Sequence, residues 1–366
     1  MSFIIVDGFD DRKFIERDNI DPPYDYQGYG LYAEHEEDFI YTDYSYRSCP
    51  ARQSARYDDG WSALLPDNIM ANGAVEIDRY FDVAKNIYSG GYAWQGQNYG
   101  VVFLAHYAVW PGSSSLTKYG PMIECNTYGD IQIKRTPQFS TSTEIIASST
   151  RLNKFSAWGW HEIEFSFEVL NPGNDWIKVW LDGELMIDLS STTLNWNQVP
   201  LLQCIKVPYG VMGCDDIWLR DDTTVYERAR ILALFPDGAG TYTDGTPVGN
   251  SANYLNVNEH EQDFDGTYNA IGAGKDSFQM SNITAQVSAG TVHGLVVRVF
   301  AKGEAGNTDQ ILPFVIVNGN KYDGVASLPP EDTYWYTQHI WETNPDTSNP
   351  WTVGEIDAVE IGYEIV

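Results

Sequence analysis

Apolar and polar positions alternate with a period of two over the most readable stretches of the chain, and that pattern predicts strands. In HEIEFSFEV at 161–169, His161, Ile163, Phe165, Phe167 and Val169 fall on one face. Glu162, Glu164, Ser166 and Glu168 fall on the other, so one side is expected to be buried and one wet. WIKVWLDGELMIDL at 176–189 reads as two strands joined at Asp182-Gly183. That dipeptide suits a type I′ hairpin, which needs φ > 0 at both central residues. Further strands are expected at 75–83, 100–109, 129–135, 294–303 and 334–342. The stretch 311–322 holds another pair turning near Asn318-Gly319, and VGEIDAVEIGYEI at 353–365 reads as the closing strands. No helical period runs longer than about three turns.

Composition supports an all-β fold. Tyr 24, Trp 12 and Phe 15 give 14% aromatic residues, which suit pleated, half-buried surfaces. With 366 residues the chain can bury two cores. The expected architecture is two tandem β-sandwich (jelly-roll, lectin-like) domains, 1–225 and 226–366, with turns spaced as sandwiches space them. No internal repeat or low-complexity tract is visible.

Charge narrows the partners. Lys+Arg is 22 against Asp+Glu 51, a formal net charge of −29. Residues 226–366 hold 6 basic and 19 acidic side chains, so both parts are acidic. Neither shows the Lys/Arg stripe that a phosphate backbone needs, which argues against nucleic acid and anionic membrane. FIIV at 3–6 is too short for a signal-peptide core or a membrane span, which fits assembly in a cytoplasm.

Cys49, Cys125, Cys204 and Cys214 show no CxxC spacing, so zinc is not expected. A hairpin about Tyr209 would set Cys204 opposite Cys214, either as two buried thiols or as a disulfide formed after release. Asp215-Asp216, Asp221-Asp222 and Asp263/Asp265 offer carboxylates for calcium without EF-hand spacing. Turn capping is the expected role, and no metal or other cofactor is expected.

The order of motifs adds a resemblance. VDGFD at 6–10 and DDIWLRD at 215–221 precede RARILALFPDGAGTYTDGTPVGNSANYLNVNE at 228–259 and DFDGTYNAIGAGKDSFQM at 263–280. AGTVHGLVVRVFAKGEAGN at 289–307 and YWYTQHIWETNPDTSNPWTVGEIDAVEIGYEI at 334–365 follow. This set resembles a family of tailed-bacteriophage virion structural proteins that join a concanavalin-like or laminin-G-like jelly roll to a second β-sandwich. The resemblance implies a non-enzymatic virion part: a head decoration, fibre or tail/baseplate component. It further implies a homo-oligomer or array with other virion proteins as partners. A host-glycan-binding adhesin using the lectin-like domain is the alternative.

A Tyr-rich insertion around 11–70 departs from that family. Tyr24, Tyr26, Tyr29, Tyr32, Tyr41, Tyr44 and Tyr46 are interleaved there with Asp, Glu and Gly. They are candidate interface residues, because Tyr buries a large flat surface at low entropic cost. Packing on their own domain and sugar stacking are the other readings.

For catalysis, EIDAVE at 355–360 matches the ExDxxE pattern of laminarinase-type glycosidases. In a regular strand Glu355 and Asp357 point one way and Glu360 the other, so no acid/nucleophile pair is expected. EIDRYF at 76–81 has Phe81 where the second carboxylate belongs. No catalytic residue is expected.

Overall fold

A computed structural model describes residues 3–7, 39–41, 51–54, 61–64, 75–77, 87–95, 100–108, 117–119, 122–125, 130–135, 144–149, 160–168, 174–192, 204–206, 213–226 and 229–366, with 260–264, 288, 307 and 333 excepted. Strands dominate these residues. The fold is all-β, and the chain divides into two compact units, one holding the described residues up to Ile231 and the other Leu232–Val366. Among the described residues no helix is long and apolar enough to cross a membrane.

The first unit carries two main antiparallel sheets. One runs Glu184–Thr192, Asp175–Leu181, Trp160–Glu168, Ile87–Gln95, Gly213–Arg220, Trp61–Leu64 and Ala51–Ser54, with Phe3–Asp7 also pairing with Gly213–Arg220. The other runs Glu144–Ser148, Ile131–Arg135, Met122–Cys125, Gly100–Ala108 and Cys204–Lys206. Ile163, Phe165, Phe167, Ile177, Val179, Leu181 and Leu219 of the first sheet are buried, as are Ile123, Ile131 and Ile133 of the second. Burying such side chains contributes roughly 1.5–3 kcal/mol each.

Two adjacent glycines let the central strand be covered closely on both sides. A Cβ on Gly90 would lie 2.6 Å from Phe165 Cζ, and one on Gly91 would lie 2.9 Å from Trp218 Nε1. Strand alternation puts these two contacts on opposite faces.

The expected hairpin forms at Asp182-Gly183, with φ of 50° and 81° as a type I′ turn requires. Asp182 also locks the neighbouring strand. Its carboxylate accepts from Glu162 N at 2.9 Å and lies 2.9 Å from His161 Nδ1.

Two expectations for this unit are corrected. Glu162, Glu164 and Ser166 are buried at 3%, 2% and 1% exposure, so the second face of 160–168 is not wet there. The cover over Glu164 and Ser166 comes from residues 223–226, more than fifty positions later. Ser166 Oγ donates to Thr223 O at 3.3 Å, and Tyr226 N donates to Glu164 Oε1 at 3.0 Å. Second, Cys204 and Cys214 do not face each other across a hairpin. The strand Cys204–Lys206 pairs with Gly100–Ala108 in one sheet, whereas Cys214 pairs with Ala63 and Trp94 in the other. Of the strand expected at 75–83, Val75–Ile77 is described; it pairs with Phe39–Tyr41.

The second unit is built on a five-stranded antiparallel sheet, in order Pro236–Thr243, Gly274–Met280, Glu360–Ile365, Ile311–Val317 and Asn320–Asp323. A two-stranded ribbon, Leu295–Ala301 with Trp335–Trp341, supplies more of the core. Ile283, Val297, Val315, Val317, Trp341, Trp351, Ile356 and Val359 form one buried cluster. Trp351 satisfies its indole N–H inside it by donating to Trp341 O at 2.8 Å. The turn at Asn318-Gly319 has φ of 51° and 80°, again type I′.

The segment expected as closing strands at 353–365 splits. Val353–Ala358 is a short α-helix, and only Glu360–Ile365 is strand. The cause is a capping box. Glu355 N donates to Thr352 Oγ1 at 3.2 Å, and Thr352 N donates to Glu355 Oε2 at 2.7 Å.

Candidate functional site

The outer face of the first unit's large sheet has two parts, one sealed and one open. The sealed part is made by the DDIWLRD motif. Asp216 sits at a positive φ of 54° where the register slips between Asp215 and Trp218. From that bulge its Oδ1 accepts from Ile231 N at 2.7 Å. Trp218 and Arg220, two residues apart, share one face. Arg220 Nη2 reaches Asp222 Oδ2 at 2.5 Å with both side chains buried. Asp222 in turn caps Thr224 N at 2.9 Å. Burial alone would raise the Asp222 carboxyl, but the Arg220 and Thr224 hydrogen bonds bring it down to about 2. Tyr226 closes the arrangement, its ring 4.8 Å from that of Trp218 and beneath the Arg220 guanidinium at 5.8 Å.

The open part lies on the next strands. Along Asp175–Leu181, Asp175, Ile177, Val179 and Leu181 are buried, while Trp176, Lys178 and Trp180 are half-buried on the outer face. Four residues of strand separate the two indoles, about 13 Å. Lys178 lies between them, and its Nζ meets Asp188 Oδ2 at 3.2 Å across the hairpin. Trp176 Nε1 donates to Glu168 Oε2 at 3.1 Å, which fixes that ring against its neighbour strand. Leu185, opposite Trp180, is 46% exposed. Trp180 is also opposite Glu164, so the covering residues 223–226 border this row on its inner side.

The second unit has another aromatic surface, of different character. Phe300 stacks on Tyr334 at 4.9 Å and lies 4.6 Å from Tyr336. Lys302 Nζ sits 4.8 Å over Tyr334, and Arg298 Cζ 5.6 Å over Tyr336. Ring faces there are turned on one another or covered by a cation.

The acidic clusters do structural work where they are described. Asp216 and Asp222 cap backbone N–H groups as above. Asp265 accepts from Lys302 Nζ at 2.6 Å and from Tyr334 Oη at 2.8 Å, which holds its carboxyl below the usual range. Asp263 lies outside the described residues. Among the described residues no group of three or more His, Cys, Asp or Glu gathers as a metal site.

The ExDxxE carboxylates are dispersed over three tasks. Glu355 is the capping-box residue and also accepts from Asn344 Nδ2 at 2.8 Å. Asp357 holds Thr284, accepting from its Oγ1 at 2.6 Å. Glu360 accepts from Thr241 N at 2.8 Å and Ser277 Oγ at 3.1 Å. The Thr352 backbone and hydroxyl bonds hold the Glu355 carboxyl below its ordinary range. A glycosidase acid needs the opposite shift.

The sequence-predicted interface residues Tyr24, Tyr26, Tyr29, Tyr32, Tyr44 and Tyr46 lie outside the described residues. Tyr41 is placed only as strand backbone, opposite Val75. The Trp176–Lys178–Trp180 row was not singled out from sequence. Its alternation with Ile177, Val179 and Leu181 is the signal that could have found it.

No family model matches the chain, and no curated protein matches it. Among solved structures, it is similar to an endo-β-1,4-glucuronan lyase from the fungus Trichoderma reesei. That alignment has 14% identity and a TM-score of 0.37, and covers 52% of this chain and 93% of the lyase. The metal-free carbohydrate recognition domain of Emp46p aligns at 11% identity with a TM-score of 0.32, over 48% of this chain and 88% of that domain. A CBM40 of the Ruminococcus gnavus IT-sialidase, bound to α2,6 sialyllactose, aligns at 12% identity and a TM-score of 0.28, over 39% of this chain and 80% of that one.

Proposed function

We propose that the protein is a non-enzymatic structural component of a tailed-phage virion that acts through its β-sandwich surfaces. The observation that carries this reading is the use made of the motif acids. Asp216, Asp222, Glu355, Asp357 and Glu360 each hold backbone or side-chain donors of the fold, which supports a structural role for them. The ordered motif set from VDGFD to EIGYEI supports the virion assignment. Partners are other virion proteins and further copies of the chain, in the symmetric arrays by which such parts work.

Two measurements test the reading. Antibody labelling of purified particles, viewed by electron microscopy, should decorate regularly repeated positions. A chain present in the infected-cell lysate but absent from particles would exclude a virion role. For the non-enzymatic part, wild type and Glu355→Gln should both fail to hydrolyse β-glucan, and the variant should stay within about 1 kcal/mol of wild-type stability, because Gln closes the capping box as Glu does. Turnover that disappears in the variant would make the protein an enzyme.

A second reading, glycan attachment through the lectin-like unit, is favoured by the row of Trp176, Lys178 and Trp180. Two half-buried indoles on the solvent side of one strand, with hydrogen-bonding groups between them, are what a saccharide-binding surface requires.

A further inference from the structure

We infer that the outer face of the hairpin 175–192 is a binding platform for a neutral, extended hexose polysaccharide, with Trp176 and Trp180 as its two stacking positions. The inference rests on the glycan-binding reading above and gives it a place and a ligand class. The two indoles stand on one face of a regular strand about 13 Å apart, so a flat, extended sugar chain can meet both while a compact one cannot. Between them the Lys178–Asp188 pair, at 3.2 Å, presents donors and an acceptor to sugar hydroxyls. Both members are more than a third exposed, so neither is sequestered from a ligand. Glu168 orients Trp176, and Leu185 extends the apolar floor beside Trp180. On the inner side residues 223–226 border the row, fastened by Glu164 and Ser166. The ring ladder of Phe300, Tyr334 and Tyr336 is the weaker candidate, since its ring faces already meet each other or a cation.

Charge selects the ligand class. Among the described residues, the platform carries Glu168 and Asp188 against Lys178, on a chain of net charge −29. A uronate or sialate chain is repelled both locally and by the whole molecule. A neutral chain is not.

The test uses the full chain with soluble mixed-linkage β-glucan and a chito-oligosaccharide as neutral probes, and alginate as the polyanion, read by calorimetry at physiological salt. The expected result is binding of at least one neutral probe and none of alginate. Trp176→Ala and Trp180→Ala should each weaken that binding about tenfold, the scale of a lost aromatic anchor. Unchanged thermal unfolding establishes that the variants are folded. Asp188→Lys, which removes an acceptor of the platform and reverses its charge, should weaken neutral binding and gain measurable alginate binding. Neutral binding indifferent to both tryptophans overturns the platform while leaving glycan attachment standing. Binding of no probe overturns both. Equal binding of alginate by the wild type overturns the ligand class.

Discussion

Removing Arg220 or Asp222 alone is expected to cost the first unit about 3–5 kcal/mol, because each takes the bidentate partner from a buried charge. The pair is 7% exposed at both residues and holds more than itself. Through Asp222 it fixes Thr224 N, and through the guanidinium it lies over Tyr226, whose N–H serves the buried Glu164. Arg220→Ala therefore loosens the cover on the outer face as well as the pair. The measurement is urea unfolding together with amide exchange at Thr224 and Tyr226, both of which should lose protection. Replacing both residues by apolar ones of similar volume should recover much of the loss, since the desolvation penalty goes with the charges. A single variant within about 0.5 kcal/mol of wild type, the range of a neutral surface substitution, would show the cover to be held by other contacts.

The same carboxyl sets an acid limit. Asp222 titrates at about 2 in the fold, below its ordinary value, so the unfolded chain binds its proton first as pH falls. Its contribution is complete above about pH 4 and fades as pH drops towards about 2, where the folded form is protonated too. Asp222→Asn should flatten the stability profile of the unit across that window.

What sequence made legible, and what it did not, divides by how local the cause is. The turns at Asp182-Gly183 and Asn318-Gly319 were readable because their chemistry lies in two adjacent residues that tolerate positive φ. The inner face of 160–168 was readable from alternation. Its outer face was not, because the residues that bury Glu164 and Ser166 come from Thr223 and Tyr226. The Cys204–Cys214 hairpin failed for a related reason: Cys204–Lys206 and Gly213–Arg220 pair in different sheets, so sequence proximity did not become pairing. The helix at 353–358 was missed although Thr352-x-x-Glu355 is a local capping signature. Val353, Ile356 and Val359 also suit a strand, and in so short a segment alternation and helical spacing cannot be told apart. For the candidate platform, the alternation of Trp176, Lys178 and Trp180 with Ile177, Val179 and Leu181 was a legible signal that went unused. Only the fold brings in Asp188 and Glu168 from neighbouring strands and the border at 223–226.

In the second unit the largest effect is expected at Asp276, a fully buried carboxylate on the strand Gly274–Met280. Its Oδ1 accepts from Gly245 N at 2.9 Å, and its Oδ2 accepts from Asn253 Nδ2 at 2.9 Å and Tyr363 Oη at 3.2 Å. Asn253 Nδ2 also donates to Gly245 O at 3.0 Å, and Asn269 Nδ2 donates to Asn253 O at 3.0 Å. One side chain thus ties the 244–257 connection to two strands of the sheet. Burial, and then the nearby Asp276 charge, push the Tyr363 hydroxyl far up, so it remains a donor throughout the range of a stability experiment. Asp276→Ala strands three donors where water cannot replace the acceptor, each at about 1–3 kcal/mol. A loss of about 3 kcal/mol or more is expected. Asp276→Asn keeps one acceptor oxygen but turns an amide against the Asn253 donor, so an intermediate loss is expected. Tyr363→Phe, which leaves Asp276 two partners, should be the mildest of the three. Thermal unfolding ranks the variants, and amide exchange at Gly245 reports whether the connection is released. Asp276→Ala melting with wild type, or Gly245 keeping its protection in that variant, would mean that the connection is held without the carboxylate.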